Sequence, residues 1–369
     1  MSLELHKRSL QHCTFCPKLC RFCCPTAEVE HKETVTPWGK MSLADMLRQG
    51  WVESDEEISE VFHHCFLCLH CRTHCKHGVD VPAALLEARE SAYRARVRLP
   101  AVDRLLATFR QTGNPFGRDL RAALVRDVPE LYQVEEAQAV LFPGCQALAK
   151  DGAFVASQLS LFSHLAVDHL AIWNGPSLCC GAPLWQIGAT DEFKDHARRL
   201  RAELKGVRQI ICSCPTCAHV LKTVFPTVGV ALSSEIRHWT EFVAPLLAER
   251  KPRRRFPGQA VYHDPCYLTR YLGHGELVRR ILEGVLAQPL SPLTWSGMDA
   301  VCCGGGGAIP HVLPEVARGA AELRQAQLRS SGAEQVLTAC PGCVQQLGSV
   351  NDGLPVRDLT EVLLYAYGR

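Results

Sequence analysis

Several things are missing from this sequence of 369 residues. Residues 1–12 reach Cys13 without the roughly 7 to 15 residue apolar core of a secretory leader, and no apolar run approaches the length of a membrane span. A cytoplasmic setting is therefore expected, with a peripheral station on the inner face of a membrane as its variant. No Gly-x-Gly-x-x-Gly follows an apolar run and no flavin fingerprint is present, so the organic cofactor that would oxidise a hydroxy acid is expected on a partner. Charge of neither sign dominates: 40 Lys and Arg stand against 38 Asp and Glu, a formal charge of +2. That balance excludes a strongly basic nucleic-acid binder and a strongly acidic chain alike, and the short basic run at residues 250–255 reads as a solvated linker or docking surface. Cysteine is in excess, at 20 residues. A chain this long buries a core without disulfides, so its thiols are expected to be reduced and available as metal ligands.

The cysteines fall into groups. Cys65, Cys68, Cys71 and Cys75 have the Cys-x-x-Cys-x-x-Cys-x-x-x-Cys spacing of a bacterial [4Fe-4S] ferredoxin, in which three close thiolates wrap one cubane and the fourth reaches its neighbour. A zinc site instead pairs separate Cys-x-x-Cys knuckles. The earlier group, Cys13, Cys16, Cys20, Cys23 and Cys24, is less regular. Cys24 is separated from Cys20 by three residues and stands directly before Pro25, so it is the expected exchanged ligand. The exchange gives one cubane on Cys13, Cys16, Cys20 and Cys75, and another on Cys65, Cys68, Cys71 and Cys24, with Cys23 spare. The histidines His63, His64, His70, His74 and His77 are expected to be hydrogen-bond donors around the clusters or solvated surface.

Beyond residue 136 the order Cys, Cys-Cys-Gly, Cys-x-x-Cys occurs twice. Its first copy is Cys145, Cys179, Cys180, Cys214 and Cys217; its second is Cys266, Cys302, Cys303, Cys340 and Cys343. Corresponding members of the pairs Cys145/Cys266, Cys179/Cys302 and Cys214/Cys340 lie 121, 123 and 126 residues apart, a domain-sized repeat and not a solenoid. Apolar runs at residues 139–142, 209–211, 260–262 and 335–338 precede the cysteines and read as buried parallel strands, with crossover helices over 191–205 and 314–329. Loops converge beyond the carboxyl ends of such strands, which is where the pattern puts the thiols. Cys212 reads as a core thiol at a strand end. Gly304, Gly305, Gly306 and Gly307 lack the Lys-Ser/Thr ending of a Walker loop and read as cofactor-binding backbone passing close to a bulky inorganic cluster. Residues 82–99 and 119–126 have helical composition, interrupted by Pro100, Gly113, Pro115 and Pro129.

The expected fold class is α+β and α/β. A two-cluster, ferredoxin-like and largely helical domain covers 1–99, and a helical connector 100–136. Two tandem α/β cysteine-rich domains in pseudo-twofold relation cover 137–250 and 258–369.

These residues resemble the cysteine-rich (CCG) domains of the heterodisulfide reductase family. The whole order resembles the iron–sulfur subunits of glycolate oxidase and of anaerobic glycerol-3-phosphate and lactate dehydrogenases. Residues 24–26 (Cys-Pro-Thr), 36–39 (Thr-Pro-Trp-Gly), 262–266 (Tyr-His-Asp-Pro-Cys) and 302–307 (Cys-Cys-Gly-Gly-Gly-Gly) carry the likeness. The resemblance implies two [4Fe-4S] cubanes and one or two further [4Fe-4S] clusters, cubane or non-cubane, each held by one five-cysteine set. It implies a partner flavoprotein, such as an FAD-dependent dehydrogenase subunit, and a quinone or membrane-associated acceptor. The chain would then be an electron-transfer subunit relaying electrons from a 2-hydroxy acid or glycerol-3-phosphate dehydrogenase. The alternative it implies is a catalytic heterodisulfide or disulfide reductase. Three departures from the family pattern are the extra residue between Cys16 and Cys20, Lys76 in place of a proline, and the added thiol Cys212. With clusters bound the charge changes: each cubane with four thiolates contributes about −2, taking the formal charge to roughly −2.

Overall fold

A computed structural model describes residues 3–128, 137–149, 152–167 and 170–368. Pro129 and the rest of 129–136 in the expected connector lie outside the described residues. The N-terminal region is helical: Lys7–Thr14, Pro37–Arg48, Glu56–His63 and Val81–Arg94 enclose a small core around Leu10, Met41, Phe62 and Leu85. Each later helix of this group starts on a side-chain cap, with Thr36, Asp55 and Asp80 accepting from the backbone N–H of Gly39, Ile58 and Ala83, which satisfies otherwise orphaned donors.

The helix expected over 82–99 ends at Arg94, and Pro100 opens the next helix, Pro100–Thr112, instead of breaking one. Proline suits the first turn because its missing N–H has no helical partner there. Gly113, at φ 69°, closes that helix in the left-handed conformation. This helix and Leu120–Asp127 bury Val102, Leu105, Phe109 and Leu124 against the first sheet.

The two cysteine-rich units are parallel α/β sheets. The first contains β1 (Ala139–Phe142), β2 (Ala171–Ile172), β3 (Gln209–Cys212) and β4 (Glu235–His238) in the order β2-β1-β3-β4. The second contains β5 (Ala260–Tyr262), β6 (Gln335–Thr338) and β7 (Val356–Asp358) in the order β5-β6-β7. All pairings are parallel. Strands β1, β3, β5 and β6 stand where the apolar runs indicated, and the helices Thr190–Glu203 and Pro314–Arg329 cross between strands of each unit.

The repeat extends beyond its cysteines. In both units the last strand ends in a residue that caps the following helix: His238 accepts from Thr240 N–H before Trp239–Ala248, and Asp358 from Thr360 N–H before Leu359–Tyr367. The second unit has no paired counterpart of β2 among the described residues; Ser291 N–H donates to Ala260 O at that edge. The basic run between the units is exposed, as expected of a solvated linker, and several of its residues are also tied to neighbouring chain. Arg253 N–H donates to Ala366 O, Arg255 Nη1 to Leu286 O and Arg250 Nη2 to Leu165 O, while Arg254 stacks on Tyr365. Among the described residues no helix is long and apolar enough to cross a membrane.

Candidate metal centres

The thiols gather at the carboxyl ends of the strands. β1 delivers Cys145 on the short helix Gly144–Leu148, β3 delivers Cys214 and Cys217, β5 delivers Cys266, and β6 delivers Cys340 and Cys343. Cys179 and Cys180 follow β2, and Cys302 and Cys303 enter from the loop before Pro314–Arg329. All ten are buried. Sγ of Cys179 lies 3.3 Å from that of Cys145, and Sγ of Cys303 lies 3.3 Å from that of Cys343. Cys180 interacts with Cys179 and Cys217, and Cys302 with Cys266 and Cys303. Each five-cysteine set is thus one cluster of sulfurs.

The N-terminal cysteines also come together in two sets. The thiols that face Cys13 are Cys20, Cys75 and Cys16, and those that face Cys71 are Cys65, Cys68, Cys24 and Cys20. Cys75 therefore joins the first group and Cys24 the second, across the intervening chain. Cys23 instead donates to Cys20 O at 3.1 Å. Cys212 lies within β3, paired in register with Phe142 and His238, and fully buried.

The donor chemistry fits iron–sulfur clusters. Burial, reinforced by neighbouring thiols, pushes Cys13 up to about 12 and Cys20 up to about 11. Packed thiols in such surroundings cannot ionise together unless a cationic core compensates them. The backbone leaves room as well. A Cβ on Gly144, at φ +73°, would stand 2.8 Å from Cys217 Sγ, and one on Gly305 3.5 Å from Cys303 Sγ. The neighbouring glycines serve packing: Gly304 lies against Ala317 O, while Gly306 and Gly307 lie against the carbonyls of Phe66 and Cys65. No side chain would fit between those backbones.

The four sets form a chain. Cys68 of the second N-terminal set interacts with Cys302 of the second unit, and Cys340 of that unit interacts with Cys214 of the first. The hydrogen bond from Cys302 holds the Cys68 thiol down to about 6. Polar side chains fix the ligand loop from outside. Arg270 Nε donates to Cys68 O at 2.6 Å, Tyr271 OH to Leu67 O at 2.7 Å, and Arg89 Nη2 to Cys65 O at 2.8 Å.

Several buried polar residues around the sulfurs carried no sequence signal. Lys40 Nζ donates to Thr26 Oγ1 at 3.1 Å and His64 O, and lies 3.7 Å from Cys24 Sγ. Arg324 Nε donates to His263 Nδ1 at 3.2 Å, which fixes the imidazole proton on Nε2. The same ring faces Cys303, and His263, Cys303 and Cys343 offer ligand atoms within 4.8 Å of one another. With Nδ1 already engaged, Nε2–H is the ring's remaining donor, buried beside these sulfurs and without a hydrogen-bond partner among the described residues. Of the five histidines near the second cysteine group, His63, His64 and His70 are buried and not solvated. Burial holds His63 well below its ordinary value and His70 down to about 3.

Comparison with known proteins agrees with this geometry. The family described as "Cysteine-rich domain", CCG, matches residues 139–222 and 260–348. One relative is a subunit of the dihydromethanophenazine:CoB–CoM heterodisulfide reductase of Methanosarcina barkeri, 26% identical over 330 residues that cover 85% of this chain and 80% of that protein. Another is a subunit of the CoM/CoB fumarate reductase of Methanothermobacter marburgensis, 31% identical over 166 residues that cover 45% of this chain and 33% of that protein. The chain is also 24% identical over 199 residues to a lactate utilization protein of Lysinibacillus sphaericus, covering 50% of this chain and 86% of that protein. Two buried five-thiol sites on parallel α/β units, coupled in space to two further thiol sets, identify residues 139–222 and 260–348 as a pair of CCG cysteine-rich domains, in a chain akin to iron–sulfur redox proteins that carry them.

Proposed function

We propose that this chain is itself a disulfide reductase, receiving electrons singly at its N-terminal thiol sets and delivering them to an organic disulfide at the cysteine-rich units. The observation that carries this reading is the continuity of the sulfur sets from Cys68 to Cys302 and from Cys340 to Cys214. The kinship to part of a heterodisulfide reductase over most of the chain supports it. Reduction of RSSR′ consumes two electrons and two protons and yields RSH and R′SH. Bound iron–sulfur clusters supply one-electron steps that match a single-electron donor to this two-electron acceptor. The two N-terminal sets would hold cubanes, and the five-cysteine sets further [4Fe-4S] clusters, cubane or non-cubane.

The chain's own residues do the rest. The strand ends hold the ten cysteines out of water, Arg324 fixes the N–H of His263 on the ring nitrogen beside Cys303 and Cys343, and Arg270, Tyr271 and Arg89 hold the 65–68 loop against the second unit. A second reading, relay between a flavoprotein dehydrogenase and a quinone or other acceptor, is favoured by the exposed Phe15 and Leu19 beside Cys16 and Cys20. Those residues line a cavity of about 450 Å³ that also includes Cys75, a surface on which a flavoprotein can dock.

Anaerobically purified protein, with iron and sulfide counted, should oxidise reduced viologen when given organic disulfides and heterodisulfides, releasing two thiols per disulfide. Cys214→Ser and Cys340→Ser should abolish thiol release while retaining the cubane resonance of the N-terminal sets. Fully loaded, reducible protein that releases no thiol from any disulfide, yet accepts electrons from a flavoprotein, would replace the reductase reading with relay.

A further inference from the structure

One group of ligating side chains lies outside the four thiol sets. His70 and His74 stand four residues apart, at the start of and just beyond the short helix His70–Thr73, so both rings fall on one side. Their Nε2 atoms are 3.3 Å apart. Asp299 arrives from the second cysteine-rich unit, with Oδ1 3.4 Å from His74 Nε2. The three ligand atoms lie within 4.8 Å of one another. The geometry points to a mononuclear zinc site on His70, His74 and Asp299 that staples the ferredoxin-like region to the second cysteine-rich unit.

The distances suit that ion. A metal about 2.0–2.1 Å from each tetrahedral donor holds those donors about 3.3–3.4 Å apart. Two imidazoles and one carboxylate form a borderline-soft set that suits zinc, with a fourth position left for water. The surroundings are preorganised. His70 is fully buried, whereas His74 and Asp299 are partly exposed and give an ion its entry path. Phe22 packs edge-on to His74 at 4.9 Å, and Trp295 edge-on to His70 at 6.0 Å. Arg270 Nη1 donates to the carbonyls on both sides of Asp299, Met298 at 2.9 Å and Ala300 at 2.8 Å, while its Nε holds Cys68 O. That single guanidinium keeps the carboxylate loop and the histidine segment in register. The site is redox-inert, so the inference stands apart from the proposed reductase activity.

The test is metal analysis of the anaerobically purified, iron-loaded chain after incubation with zinc and removal of loose metal. One zinc per chain is expected, with an X-ray absorption first shell of nitrogen and oxygen. His74→Gln and Asp299→Asn should each lose that equivalent with iron and sulfide content unchanged, the unchanged content showing that the variant is folded. Absence of a tightly held zinc, a sulfur-dominated shell, or full zinc retention in both variants would overturn the site.

Discussion

Lys40 shows what a single buried charge does in this molecule. Its ammonium lies under the surface between Thr26, His64 O and Cys24 Sγ, and so confronts the thiol that crosses from the first cysteine group into the second. A cation at that distance favours the reduced, more negative state of whatever cluster Cys24 helps to hold. Lys40→Met is expected to lower the reduction potential of that cluster by roughly 50 mV, about 1 kcal/mol for a one-electron couple. A redox titration followed by electron paramagnetic resonance reads the shift, and an unchanged potential in a fully loaded variant removes Lys40 from this role. Arg324 acts in two ways, by its own charge on Cys303 and by fixing the ring of His263 beside that sulfur.

At the scale of elements, the helix that follows each sheet's last strand depends on its cap. Asp358 carries a full capping box with Glu361 and is buried, and burial pushes its carboxyl up to about 7 from the ordinary 3.8. A carboxyl raised in the folded state costs no stability below its unfolded value; the cost accumulates as pH climbs towards the folded value and is complete above it. Asp358→Asn keeps an acceptor for Thr360 N–H and cannot ionise. The melting temperature of the variant relative to wild type should therefore rise by a few degrees between about pH 5 and pH 8, and a constant difference would refute the assignment. These last strands, β4 and β7, were not legible in the sequence. Residues 235–238 and 356–358 are short and carry one apolar residue each, Ile236 and Val356, whereas β1, β3, β5 and β6 were visible because they are nearly continuous apolar runs. The grouping of thiols was legible for a related reason: ligand spacing is local and survives in one dimension. Lys40, Arg89 and Asp299 were invisible because each acts on chain far away in sequence, and nothing local marks a residue whose partners lie beyond its own helix.

The whole molecule is joined by Arg89. Its guanidinium, fully buried, donates to Phe62 O and Cys65 O in the N-terminal region, to Gln186 O in the first unit and to Gly307 O in the second. Arg89→Met strips donors from carbonyls in all three regions, and should destabilise the loaded protein by about 3 kcal/mol or more. Lysine is not expected to rescue it, because a single ammonium lacks the planar spread of the guanidinium. Anaerobic denaturant unfolding measures both variants, and near-wild-type stability of either contradicts the account. The loop 65–68 owes its shape to Arg89, Arg270 and Tyr271, only the first of which belongs to the N-terminal region. Order of assembly follows from that dependence. Iron delivered before the second unit has docked would meet a loop still unshaped, and iron delivered afterwards would meet sulfurs already partly covered. If clusters fill these sites, maturation would have a window in time, and loss of one region's grip would expose the cluster held by another, so damage by oxygen should spread through the chain as a single event and not cluster by cluster.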